Sequence, residues 1–210
     1  MNKLEKSTIE NSTDPTCTAL LLVECQNGVI GEGSSFPALA EEAALIIPSL
    51  AQLVKAARGA NIKVIHGLAL IRNDAWGASR NARLFGAARK SPVQQLPESR
   101  ETEPIPEIGF YESSDILLPR FQGLSPTSGT ELKSLLRNEG ISNVVVCGVS
   151  LNIAIQNCVF DLVNDAFNVL VPVDAVAGVP GDYGKSVIEN TLSMLVTLTD
   201  VEKLKDLWDI

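Results

Sequence analysis

Two stretches of this chain, Thr18–Glu24 (TALLLVE) and Asn143–Gly148 (NVVVCG), are apolar at every interior position. A strand with one face in water alternates apolar and polar residues. An unbroken apolar run bounded by polar residues fits a strand covered on both faces, as in a parallel sheet packed between helices. Ile62–Leu70 (IKVIHGLAL), Asp115–Pro119 (DILLP) and Asn168–Val173 (NVLVPV) read as three further strands, and Leu195–Leu198 as a short sixth. Helical spacing falls between them. Glu41–Ala60 places Leu45, Leu50, Leu53, Val54 and Ala57 on one face, with Pro48 marking a kink or restart; Gly129–Asn138, Leu151–Ala166, Val187–Leu195 and the terminal VEKLKDLW follow. Strands alternating with helices predict right-handed βαβ units. The expected fold is a three-layer α/β/α, doubly wound domain on a mostly parallel six-stranded sheet.

One domain, residues 17–210, accounts for the pattern, with residues 1–16 expected as a flexible tail. Regularity fails between residues 71 and 111, where Asn, Gly, Pro and Glu dominate. Forty residues are too many for a passive connection, so an arm or lid is expected there. Among 210 residues, 17 Lys and Arg stand against 25 Asp and Glu, a net charge of −8. That balance argues against nucleic acid and anionic lipid as partners. No apolar stretch reaches the roughly 18–20 residues of a membrane helix. The polar N-terminus and the four unclustered cysteines suit reduced thiols and a cytoplasmic location. The single histidine, His66, excludes multi-His zinc sites and paired-His schemes, and no cofactor or metal site is expected. Chemistry here falls to carboxylates, thiols, hydroxyls, Arg or Lys.

In a parallel sheet ligands bind beyond the C-terminal strand ends, here Glu24–Asn27, His66–Ile71, Arg120–Ser125, Gly148–Asn152 and Asp174–Pro180. Taken in order, those ends resemble a known family. ALLLVECQNGVI is similar to the first strand of the isochorismatase-like hydrolases (cysteine hydrolases), an acid followed by x-Gln-Asn. The stretch from LLPRFQG through GVSLNIAIQNC to VPVDAVAG resembles their second signature. The resemblance runs from Ala19 to the last helix and skips the 71–111 insert. It implies the α/β fold above, an assembly of two or four identical subunits, a cis peptide at Val149–Ser150, and a catalytic triad of Asp, Lys and Cys.

Every triad position is altered. Glu24 stands at the acid, Arg120 at the base and Ala154 at the nucleophile. Alanine carries no nucleophile, and arginine clamps a carboxylate but does not shuttle protons. A Glu24–Arg120 ion pair at the pocket floor is one expectation. Cys158 lies one helical turn beyond Ala154 and reads as packing, as do Cys25 and Cys147. Isochorismatases proper cleave an enol ether without the cysteine, and there the acid acts as proton donor. Glu24 takes that role here only if burial raises its pKa, which Arg120 opposes. Asn27, His66, Trp76, Ser150 and Asn152 are the candidate ligand contacts, with Arg72, Arg80, Arg83 and Phe85 near the mouth. The expected function is hydrolysis of a small carboxylate-bearing amide or enol ether without a thiol. The alternative is a catalytically silent member that binds a small molecule or a protein partner.

Overall fold

The structure, a computed structural model, describes residues 13–208. Strands β1 (Thr18–Val23), β2 (Lys63–Ala69), β3 (Asp115–Arg120), β4 (Asn143–Gly148), β5 (Asn168–Pro172) and β6 (Thr197–Thr199) form one sheet. The spatial order is β3-β2-β1-β4-β5-β6, and every pairing is parallel. The chain thus winds outward from β1 to one edge, returns, and winds outward from β4 to the other. That reversal leaves a crevice beyond the carboxyl ends of β1 and β4. Both central strands are buried at every position, as their unbroken apolar runs require.

Besides the single turn Asn27–Ile30, the helices among the described residues are α1 (Pro37–Ala44), α2 (Ile47–Gly59), α3 (Arg83–Lys90), α4 (Leu132–Asn138), α5 (Gln156–Asn164), α6 (Gly181–Asn190) and α7 (Val201–Leu207). The expected helix at 41–60 is two helices bent by 64°. Pro48 sits in the first turn of α2, where its missing N–H costs no hydrogen bond. The bend throws Leu45, expected inward, into water at 77% exposure, while Leu50, Leu53, Val54 and Ala57 fill the core. In α4 Leu132 and Leu136 are buried, whereas Leu135 only flanks the core. Among the described residues no single helix is long and apolar enough to cross a membrane.

Of the expected tail, residues 1–12 lie outside the described residues. Thr13 is buried, and its carbonyl accepts from the Trp208 indole N–H at 3.2 Å. Asp14 caps the turn Pro15–Cys17 that leads into β1. Residues 71–111 hold α3 and then pack down: Ile105 and Ile108 join the core. Polar side chains stitch this arm to the loop after β1. Gln26 accepts from Ala69 N at 2.7 Å and donates to Ala69 O and Glu101 O, while Gln95 donates to Gly28 O and Ser35 Oγ. Gln26 is fully buried, so each of these bonds satisfies a group that water cannot reach.

Candidate active site

A cavity of about 470 Å³ opens at the C-terminal strand ends. Its walls come from the ends of β1 (Glu24), β2 (Ala69–Ile71) and β3 (Arg120–Leu124), from the turn that starts α5 (Ser150, Asn152–Ala154), from α1 (Phe36, Leu39) and from the arm (Ala78, Ser79, Leu84, Phe85, Ala88, Arg89). Of the expected site residues, Glu24, Arg120, Ser150, Asn152 and Ala154 meet on these walls.

Glu24 ends β1 with φ of 54°, in the left-handed region that costs a non-glycine residue about 1 kcal/mol. Its amide donates to Gly67 O at 2.8 Å, so β2 holds the turn from outside. Gly148 makes room on the other side. Its φ is +103°, and a Cβ there would fall onto Val23 O and lie 2.7 Å from Cys25 Sγ. Only glycine ends β4 in that conformation. The Val149–Ser150 peptide that follows is cis. Leu151–Ile155 is then wound more loosely than an α-helix, and Ala154 lies in that turn at 2% exposure.

Arg120 donates from Nη2 to Glu24 Oε1 at 2.5 Å. Its Nη1 donates to the carbonyls of Gln122 and Gly123. The Gly123 amide in turn donates to Ser79 Oγ at 3.2 Å, tying the arm to the guanidinium loop. Burial pushes the Glu24 carboxyl above its ordinary value, and the charge and hydrogen bond of Arg120 pull it back only in part. The sequence alone weights these two effects the other way, toward a carboxyl held ionised by Arg120. Desolvation on a wall that is largely apolar tips the balance. Glu24 is the only carboxyl on that wall among the described residues.

No thiol reaches the cavity. Burial raises the Cys25 and Cys147 thiols, and Cys158 is pushed up to about 12 despite its hydrogen bond with Ser125. All three are buried, and all four cysteines are free. Ser125 is locked in a buried chain in which Thr127 donates to Asp161, so it offers no nucleophile either.

Three expected ligand contacts lie elsewhere. His66 is not at a strand end: it pairs with Leu22 and Leu117 in mid-sheet, three residues short of the cavity, at 1% exposure. Its Nε2 lies 3.1 Å from Asp115 Oδ2 and its Nδ1 has no partner. Asp115 also accepts from Arg58 (2.5 Å), Ser114 (2.7 Å) and the Tyr111 amide (3.1 Å), an assembly that clamps the end of the arm to β3. Asn27 donates to Arg100 O at 3.0 Å and belongs to the arm's stitching. Trp76 is 78% exposed on a turn held by Asp74 and does not line the cavity. Phe85 does, as does Arg89, which belongs to none of the sequence motifs. A basic residue at helical spacing from Phe85 on a lid-like segment was the available signal. Among the described residues no three His, Cys, Asp or Glu side chains gather into a metal-sized group.

Residues 18–203 match the family described as "Isochorismatase domain". A probable inactive nicotinamidase of Arabidopsis thaliana is 31% identical over 166 residues, 76% of this chain and 80% of that protein. An uncharacterized isochorismatase family protein of Escherichia coli O157:H7 is 26% identical over 114 residues, which span 54% of this chain and 59% of that protein's length. The crystal structure of a cysteine hydrolase from Pseudomonas syringae pv. phaseolicola superposes with a TM-score of 0.82, covering 94% of this chain and 95% of that one. At 19% identity that likeness speaks for the fold.

Proposed function

The chain belongs to the isochorismatase family, and we propose that it is a hydrolase of that family that works without a thiol nucleophile, through general acid catalysis by the Glu24 carboxyl. The observation that carries this reading is the pairing of Glu24 with Arg120 on an otherwise largely apolar wall, with Ala154 beside them and no cysteine in reach. A carboxyl pushed up by burial holds its proton closer to neutral pH, as a general acid must. The substrate is then a small carboxylate-bearing molecule with an enol-ether bond, or an amide as the slower case. Glu24 protonates the enol carbon or the leaving group. In the enol ether, water adds to the ether-bearing carbon beside the protonated one and returns one proton to Glu24. The hemiketal's hydroxyl proton passes to the ether oxygen as that C–O bond breaks, leaving a carbonyl and an alcohol. In the amide, water adds to the carbonyl carbon, the protonated amine leaves and the water's proton returns to Glu24. Arg120 stabilises the carboxylate that Glu24 becomes once it has given up its proton. No covalent intermediate is required, which suits an alanine at position 154.

A specific observation supports a second reading, a member that binds without turnover. Both Nη atoms of Arg120 are engaged by Glu24 and by two carbonyls, so the pair is satisfied within the protein. One experiment separates the two readings. Purified protein is offered a panel of vinyl ethers, amides and esters, and the Glu24→Gln variant is run beside it. The hydrolase reading expects turnover that falls at least about 100-fold in the variant, the order a general acid contributes, with ligand-induced stabilisation retained. A panel without turnover whose anionic members still raise Tm overturns it and leaves the binder. In either case we propose a cytoplasmic homo-oligomer, a dimer or tetramer, to be read from its mass in solution.

A further inference from the structure

The cavity wall carries two cations, and they differ in availability. Arg120 is buried and its Nη atoms are already bound by the protein. Arg89 is exposed on α3, lines the same cavity, and has no hydrogen bond or ion pair among the described residues. The surroundings of Arg89 are unusual for this chain. Residues 72–90 carry Arg72, Arg80, Arg83, Arg89 and Lys90 against a single acid, Asp74, in a protein whose net charge is −8. The basic residues that look scattered along the sequence therefore include one block of five, and it belongs to the arm beside the cavity. Such a patch draws in anions that the rest of the surface repels.

The same helix contributes the opposite chemistry beside Arg89. Leu84, Phe85 and Ala88 face the cavity and are only half-buried; α3 buries none of its residues fully. An apolar helix face left over a void is stabilised when a ligand fills it. Phe36, Leu39, Phe121 and Leu124 continue that surface, and Arg72 stacks 4.5 Å from the Phe121 ring, fixing its plane. At about 30 Å³ per water, 470 Å³ holds roughly 15 waters, more room than one small ring fills.

We propose that the site takes an amphipathic anion, a carboxylate joined to an apolar or aromatic body larger than one ring, and that Arg89 reads the carboxylate while Leu84 and Phe85 grip the body. This assignment rests on the hydrolase-site reading for its location, but its test does not need turnover. Biphenyl-4-carboxylate, biphenyl-4-carboxamide and benzoate are titrated into the full chain by calorimetry at low and high salt. The carboxylate is expected to bind at least 10-fold tighter than the carboxamide and than benzoate, and to weaken as salt rises. Arg89→Gln removes the advantage over the carboxamide; Arg83→Gln, on the same helix but off the cavity, changes affinity less than 2-fold. Phe85→Ala weakens both biphenyls together. Equal affinity for carboxylate and carboxamide, an unchanged Arg89→Gln, or no binding of either biphenyl overturns the proposal. A Glu24→Gln enzyme that binds these probes normally but turns nothing over leaves it standing, as does a protein that binds them and has no activity at all.

Discussion

Replacing Asp115 by Asn tests how the arm is held, and its cost can be worked from the structure. Asp115 is buried and surrounded by donors only: Arg58 Nε and Nη2, Ser114 Oγ, the Tyr111 amide and His66 Nε2. Burial alone raises its pKa, but those donors more than reverse it, and the carboxyl settles from 3.8 to about 2. At 1.36 kcal/mol per pH unit that difference is about 2.4 kcal/mol. Arg58 is 19% exposed and water screens the pair, which trims the figure to about 1–2 kcal/mol. Asn also turns an N–H₂ toward neighbours that are all donors, adding about 1 kcal/mol for the bond it cannot make. The expected loss at pH 7 is therefore about 2–3 kcal/mol.

The sign of the pH effect is fixed by the same shift. A depressed carboxyl stabilises the fold above its unfolded value, here 3.8, and that stability is lost as pH falls through about 2. Urea unfolding of wild type and variant, followed at pH 7 and pH 3, should show the gap between them shrink, its electrostatic part falling to about half at pH 3. A gap below about 0.5 kcal/mol at pH 7, or one that stays constant to pH 3, refutes the reasoning.

Other consequences can be checked independently. Gly148→Ala sets a methyl group against Val23 O at φ +103°; it should cost more than about 3 kcal/mol or leave no soluble protein, as yield and thermal melts will show. Iodoacetamide at pH 7.5 should label at most Cys17 in the native protein, and all four cysteines after urea, by intact mass. His66, held below its ordinary pKa by burial against the pull of Asp115, stays neutral in the fold while the unfolded chain takes up its proton. Stability should therefore begin to fall as pH drops below about 6.5, and a wild-type urea midpoint flat from pH 7 to 5 would contradict this. Gln26→Ala strips three bonds from buried groups and should cost about 2–4 kcal/mol, with faster proteolysis within residues 71–111.

The parts of the molecule that could be read from the sequence are those decided by neighbours in the chain. Apolar runs made β1 and β4 legible because burial on both faces leaves no other pattern; the strand ends then put Glu24 and Arg120 on one rim, and the family resemblance added Ala154. His66 was misplaced although the strand itself was read nearly to its observed bounds: the expected Ile62–Leu70 is Lys63–Ala69, and the one polar residue of its interior sits in mid-sheet beside Leu22 and Leu117, held there by Asp115. Leu45 failed because a 64° bend changes which side of a helix is inside. The arm was illegible because its order comes from contacts 43 to 75 residues apart, Gln26 to Ala69 and Glu101 and Asn27 to Arg100. Those same contacts bear on function. They bring α3, with Phe85 and Arg89, over the strand ends, so the segment that the sequence marks as an arm or lid near the mouth forms part of the cavity wall. A site assembled in this way separates its two jobs. The strand ends, which local sequence dictates, hold the Glu24 carboxyl in a fixed turn. The arm, tied down by a few polar side chains, sets what can lie against it. Substitutions on α3 should then change which ligand binds while leaving Glu24 and Arg120 paired, whereas substitutions at Gly148 or Glu24 should disturb the pair itself.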